Sequence, residues 1–210
     1  MPRVHFVAKA RKDNEVCKKG ESYYWWKHKT GPRSSIKRMS KARPRGSELT
    51  LSDKIGRMRA AGEAIEDSFG NLDTGDVDSA ESVISALEEA ESEVREVADE
   101  YRESAENMEE GFGHSTSQSE AIEEQADEAE SYADEIGNLK DSIENVEIPD
   151  RDDFETDAKE EIERQVNANE LEEAESDSAV AQVMDEKYDE AVSGYIDEIG
   201  GYQGEAPCPV

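Results

Sequence analysis

The sequence predicts a mainly α protein: a small N-terminal antiparallel β-hairpin or meander, followed by long acidic helices forming a coiled-coil hairpin or loose bundle. Three observations lead there. Charge is segregated, because residues 1–46 hold 14 Lys/Arg against three acids (Asp13, Glu15, Glu21), a net of +11, whereas residues 47–210 hold 10 against 51, a net of −41. Four aromatics stand in a row, Tyr23 to Trp26, inside the basic segment. Beyond residue 46, apolar positions recur at three- and four-residue spacing, which is the period of a helix face. Only 34% of the 210 residues are hydrophobic and 37% are charged. That is thin for one thick core and leans towards disorder; the helical period opposes that reading.

Val4-His5-Phe6-Val7 is a short β-prone run. A basic, turn-like stretch from Lys9 to Asn14 follows, and Lys18-Lys19-Gly20-Glu21 reads as a turn into Ser22 to Lys29. Consecutive aromatics between polar residues suit a strand better than a helix. Thr30-Gly31-Pro32 marks a reversal, with Arg33 to Lys37 as the returning strand. Two or three short strands are marginal by themselves, so this unit is expected to lean on the helices or on a partner. Arg38 to Gly46 then forms a basic linker punctuated by Pro44 and Gly46.

The helical region opens with cap candidates between Ser47 and Ser52 and a seam of Leu51, Ile55, Met58, Gly62, Ile65 and Phe69. Asp73 to Asp78 is a turn-rich break. The next helix, about 77–110, carries Ala80, Leu87, Val94, Tyr101 and Met108 at seven-residue spacing, with Val83/Ile84, Ala90, Val97/Ala98 and Ala105 filling a second seam. Gly111 to His114 ends it, and a further helix restarts at Ser115 to Ser119. That helix repeats Ile122, Ala129, Ile136 and Ile143, with Tyr132, Leu139 and Val146 beside them, and Pro149 stops it. Two helices of equal period joined by a short Gly/Ser turn predict an antiparallel coiled-coil hairpin. A last helical stretch, about 152–199, starts at Phe154, Ala158 and Ile162, is polar near 170–178 where a break is expected, and resumes at Val180, Met184, Tyr188, Ala191 and Tyr195. The organisation is therefore a hairpin segment over 1–37, a linker over 38–46, an acidic helical region over 47–200 and a flexible tail over 201–210.

No apolar run approaches the ~18–20 residues of a membrane span, and no N-terminal apolar segment resembles a secretory signal. Cys17 and Cys208 form no motif, so reduced thiols in a cytoplasm are expected. There is no Gly-rich phosphate loop, no His-Glu-x-x-His, no nucleophile elbow and no CxxC pair. The expectation is a non-catalytic, soluble, intracellular protein without a cofactor. For zinc, only Cys17 with His28 comes near the paired spacing a tetrahedral site needs, and the acids of 73–78 lack EF-hand spacing.

The stretch Val7-Ala8-Lys9-Ala10-Arg11-Lys12-Asp13-Asn14, followed by Lys18-Lys19-Gly20-Glu21-Ser22-Tyr23-Tyr24-Trp25-Trp26-Lys27, resembles the opening of a family of uncharacterised phage-encoded proteins. Glu106-Asn107-Met108-Glu109-Glu110-Gly111 is similar to a helical-hairpin corner in the same proteins. The N-terminal match covers about a tenth of the chain, and His28 and Ser34-Ser35 depart from the family's pattern there. The resemblance implies a phage origin and a basic hairpin on acidic coils, hence location in the host cytoplasm or virion. It implies no activity.

Three functions follow as expectations. The first is nucleic-acid binding through Lys9, Arg11, Lys12, Lys18, Lys19, Tyr23, Tyr24, Trp25, Trp26, Lys27, Lys29, Arg33, Lys37, Arg38, Arg43 and Arg45, with Lys41 among them. The cations neutralise phosphates. Because alternate side chains of a strand face opposite ways, either Tyr23 with Trp25 or Tyr24 with Trp26 stacks on DNA or RNA bases while the other pair packs inward. The second is a virion assembly role, a coiled-coil homo-oligomer or a partner of another phage or host protein, with the basic segment as docking peg. The third is a DNA mimic, its carboxylate rows occupying a host protein's DNA groove. Against these stand plainer readings: aromatics packed on the helices, a basic segment docked on the acidic helices, and acidity as adaptation to a salty cytoplasm.

Overall fold

The computed structural model describes residues 1–167 and 176–208. Its N-terminal element is a three-stranded antiparallel meander in the order β1 (His5–Val7), β2 (Tyr23–Lys29), β3 (Ser35–Ser40). The central strand holds the four aromatics, as their β-propensity requires. β1 pairs His5 with Trp25 and Val7 with Tyr23, while β3 pairs Met39 with Trp25 and Lys37 with Lys27. The returning strand runs to Ser40, three residues into the stretch read from sequence as linker.

The loop between β1 and β2 is folded on itself. The Asn14 side-chain oxygen accepts from the Val16 and Cys17 N–H groups at 3.0 Å each, and Asp13 accepts from Lys19 N–H at 2.7 Å. Glu21 accepts from Lys18 N–H at 3.0 Å, and its carbonyl takes the Ala10 N–H at 2.8 Å. Gly20 sits at φ +97°, a backbone state that costs a side-chain-bearing residue about 1–2 kcal/mol, which is why the turn needs glycine. Ala10 and Cys17 are buried beneath this loop, so Lys18 and Lys19 stand outward on a fixed backbone.

Past a 3₁₀ turn at Ser47–Leu49 come α1 (Asp53–Gly70), α2 (Asp78–Phe112), α3 (Ser117–Glu144), α4 (Glu155–Asn167) and α5 (Ser176–Gly201). The chain divides into two compact units, Met1–Glu63 with Ser92–Ala133 and Cys208–Val210, and Ala64–Glu91 with Asp134–Pro207. Pairs nested outward from the α2–α3 turn show that these helices run antiparallel: Ser119 with Glu109, Arg102 with Glu130, Lys140 with Glu91. The predicted helical hairpin is therefore present, and the middle of its seam is buried within one chain; Ala80, Val83, Leu87, Val94, Val97, Ala129, Ile136 and Ile143 are all solvent-inaccessible, whereas Ile84, Tyr101, Met108, Ile122 and Val146 are only half-buried.

The two units fill their cores differently. In the first, the helical core is largely alanine and valine (Val94, Val97, Ala98, Ala105, Ala126, Ala129, Ala133) with Met58 and Tyr132. Such side chains bury little area each, and charge pairs join the helices above them. Arg57 of α1 reaches Glu93, Glu96 and Glu100 of α2, and its bonds to Glu93 first, then Glu100, raise its pKa. Lys54 donates to Ser104 at 3.2 Å and lies 4.2 Å from the centroid of the Tyr101 ring. Half-exposed pairs of this kind contribute about 0.2–1 kcal/mol each. The second unit has a bulkier core of Ile65, Phe69, Leu87, Ile136, Leu139, Ile143, Ile162, Met184, Val192, Ile196 and Ile199.

Several boundaries differ from expectation. α2 continues through Gly111 into Phe112 and stops at Gly113, whose φ of +72° lets its N–H close back on the Glu109 carbonyl at 2.7 Å. α3 ends at Glu144, ahead of Pro149, where the Val146 N–H closes a tighter last turn on the Ile143 carbonyl at 3.1 Å. α4 ends at Asn167 and α5 begins at Ser176, so most of the break expected near 170–178 lies outside the described residues. The buried stripe of α5 adds Val192, Ile196 and Ile199 to Met184 and Tyr195, while Val180, Tyr188 and Ala191 are only half-buried. The tail expected to be flexible carries a 3₁₀ turn at Tyr202–Glu205. Leu51, expected to open the α1 seam, precedes the helix and is half exposed.

Candidate nucleic-acid interface

Alternation along β2 sends Tyr24, Trp26 and His28 to one face of the sheet and Tyr23, Trp25, Lys27 and Lys29 to the other. Burial decides between the two. Trp26 is 2% exposed and His28 6%, and the indole Nε1–H of Trp26 donates to His28 Nε2 at 3.0 Å. A buried N–H without a partner costs about 1–3 kcal/mol, and this bond gives the indole N–H and His28 Nε2 a partner each and locks that face inward. Trp26 is thus part of the core and has no ring face to offer a ligand. Arg38, paired with Trp26 across the strands, projects to the same side but remains exposed.

The opposite face is basic and aromatic. His5 stacks on Trp25 with centroids 4.2 Å apart and planes 10° from parallel. The ammonium groups of Lys27 and Lys37 lie 5.9 and 5.3 Å from the Trp25 centroid. Each cation–π contact contributes ~0.5–1 kcal/mol at an exposed site. Yet Lys27 and Lys37 are directly opposed across β2 and β3, and like charges in that register repel. Lys27, Lys29 and Lys37 are exposed, and among the described residues none of them is ion-paired with an acid. The face holds positive charge that no acid among the described residues neutralises.

The remaining cations named from sequence are distributed around the sheet. Lys9, Arg11, Lys12, Lys18 and Lys19 lie on the β1–β2 loop and Arg33 on the β2–β3 turn, all exposed. Lys41 pairs with Glu21 at 3.4 Å, and that pairing, after the Lys18 N–H bond, holds the Glu21 carboxyl below the usual glutamate range. Arg43 and Arg45 follow β3; the Arg45 N–H donates to the Glu48 carboxylate at 3.0 Å. Tyr24 turns towards Phe6, their centroids 5.0 Å apart, on the side of Trp26. Cys17 and His28, weighed as a zinc pair, are engaged elsewhere: Cys17 Sγ accepts from Asn14 Nδ2 at 3.3 Å and His28 from Trp26.

Two features escaped the sequence reading. His5 supplies half of the stacked pair, and Arg3, His5, Trp25, Lys27 and Lys29, together with Leu49, Thr50 and Leu51, line an open cleft of about 640 Å³. The alternating Val4-His5-Phe6-Val7 run was the available signal for His5. Nothing in the sequence linked residues 49–51 to the sheet. Among the described residues, no helix is long and apolar enough to cross a membrane. No family model, no curated protein and no solved structure matches this chain.

Proposed function

We propose that the chain is a non-catalytic phage accessory protein that binds nucleic acid through the outward face of its N-terminal sheet. One observation carries this: Lys27 and Lys37, directly opposed on adjacent strands and drawn over the ring of Trp25, form a cationic pair without an acidic partner among the described residues. A phosphate placed there relieves their repulsion, and an aromatic ring lies within the same few ångströms. The resemblance of residues 7–27 to phage-encoded proteins supports the phage assignment. The helical region serves as scaffold; the central positions of its heptad seam are already buried within a single chain, so those positions do not call for a second copy.

The test is a salt series on the full chain with labelled single-stranded and duplex DNA. If Lys27, Lys29, Lys37 and Arg3 each neutralise one phosphate of a single strand, log K falls against log salt with a slope of about −3. Between about 50 and 200 mM salt that is a loss of roughly 50-fold. A Lys27→Glu, Lys37→Glu variant is expected to flatten the slope by at least one unit. No salt-sensitive binding by the parent chain refutes the proposal.

A further inference from the structure

Resting on that reading and deepening it, we propose that the cleft beside Trp25 is a pocket for one unpaired nucleobase, so that the preferred ligand is a single strand. The stacked His5–Trp25 pair gives the cleft an aromatic platform. The segment Leu49–Leu51 lines the same cleft, with Leu51 50% exposed where a solvated loop would ordinarily carry a polar residue. Arg3, Lys27 and Lys29 stand at the same opening. An apolar slot with an aromatic side and cations at its mouth matches a flat, π-faced base carried on an anionic backbone. The volume of about 640 Å³ lies inside the range of about 300–1,000 Å³ found for small-molecule sites.

The second wall is held in place before any ligand arrives. Ser47 donates from its N–H and its hydroxyl to Glu63, at 3.0 and 2.6 Å, tying the 3₁₀ turn to α1. Ser52 N–H donates to the Thr50 hydroxyl at 3.1 Å, and Gly56 N–H to the Ser52 carbonyl at 2.9 Å. Arg59 donates to the Gly46 carbonyl at 3.4 Å. The platform is fixed from behind by the buried Trp26–His28 bond. Neither wall must be ordered on binding, which removes part of the entropic cost of association.

Strand form follows from this geometry. In a duplex the base faces are covered by their neighbours and only the edges line the grooves. A slot that takes a base by its face therefore admits a single strand, a loop or a strand end, and a duplex meets only the cations at the rim.

The experiment compares labelled oligothymidylate and oligouridylate with the matching duplexes, using the full chain at fixed low salt. The parent chain is expected to bind at least one of the single strands tightly enough to exceed the duplex by tenfold or more, with quenching of tryptophan fluorescence. Trp25→Leu should weaken that binding roughly 5- to 150-fold, the range that loss of one base–aromatic stack produces. Leu51→Glu changes an exposed side chain outside the core and keeps the test valid should Trp25→Leu disturb folding. It is expected to weaken single-strand binding at least tenfold and duplex binding by less than about threefold. Phe112→Ala, at the exposed α2–α3 corner, should leave both unchanged. Equal binding of single strands and duplexes, unaltered by Leu51→Glu yet lost in Lys27→Glu, Lys37→Glu, overturns the pocket and leaves the cationic face standing. Absence of binding to every oligonucleotide overturns both.

Discussion

Replacing Trp26 by Phe removes the indole donor and leaves His28 Nε2 as a buried acceptor with nothing to accept. Both side chains are nearly inaccessible and the bond is 3.0 Å long. The orphaned acceptor costs about 1–3 kcal/mol, and the smaller ring adds about 1 kcal/mol for the space it leaves. His28→Leu alone exposes the complementary fault, a buried N–H without a partner, at about 1–3 kcal/mol. The double variant Trp26→Phe, His28→Leu removes donor and acceptor together. It should therefore cost about 1–2 kcal/mol less than the sum of the two singles, which is the coupling expected between residues in direct contact. The assay is urea unfolding followed by tryptophan emission. In Trp26→Phe the remaining tryptophan is Trp25, stacked on His5 in the same sheet, so emission reports the sheet. Singles that add to within about 0.3–0.5 kcal/mol of the double would refute the bond as the device that sets the sheet's inward face.

Gly113→Ala tests the corner of the helical hairpin. An added Cβ meets nothing within 4 Å, so the cost is that of the left-handed backbone alone, about 1–2 kcal/mol, or about 2–8 °C in Tm for a chain of this size; Gly113→Asn should cost less, and equal Tm values for all three proteins would contradict the assignment. Acid should selectively loosen the β1–β2 loop. The Lys18 N–H and then Lys41 hold the Glu21 carboxyl below the usual glutamate range, so its contribution is present above that range and disappears as pH falls through the folded pKa. The Tm difference between the parent and Glu21→Gln is expected to shrink from about pH 6 to about pH 3, and a difference that stays constant across that range would show the carboxylate to be idle.

Much of this architecture was legible because periodicity is a property of the chain itself. The recurrence of Ala80, Leu87 and Val94, and of Ala129, Ile136 and Ile143, places them on one side of a helix wherever that helix lies, and burial there followed. The same holds for the aromatic run: a period of two separates Trp25 from Trp26 whatever the sheet packs against. Which of the two faces water is another matter. Both faces of β2 carry aromatics, so hydrophobicity alone gives no preference. Leu51 illustrates the opposite limit. Its spacing to Ile55 and Met58 matched a helix face, but α1 begins at Asp53 and the side chain instead forms a wall of the cleft.

By itself, then, the sequence determined the charge division, the strand-rich start, the helical hairpin and the set of cations available to a phosphate backbone. Those depend on local preference and on residue counts. Tertiary structure alone decided that Trp26 bonds to His28 and turns inward, that His5 stacks on Trp25, that Lys27 opposes Lys37, and that residues 49–51 come up against the sheet. Each of these joins groups by register or by chain reversal, and the energy that selects them belongs to buried contacts that exist only once the chain has folded.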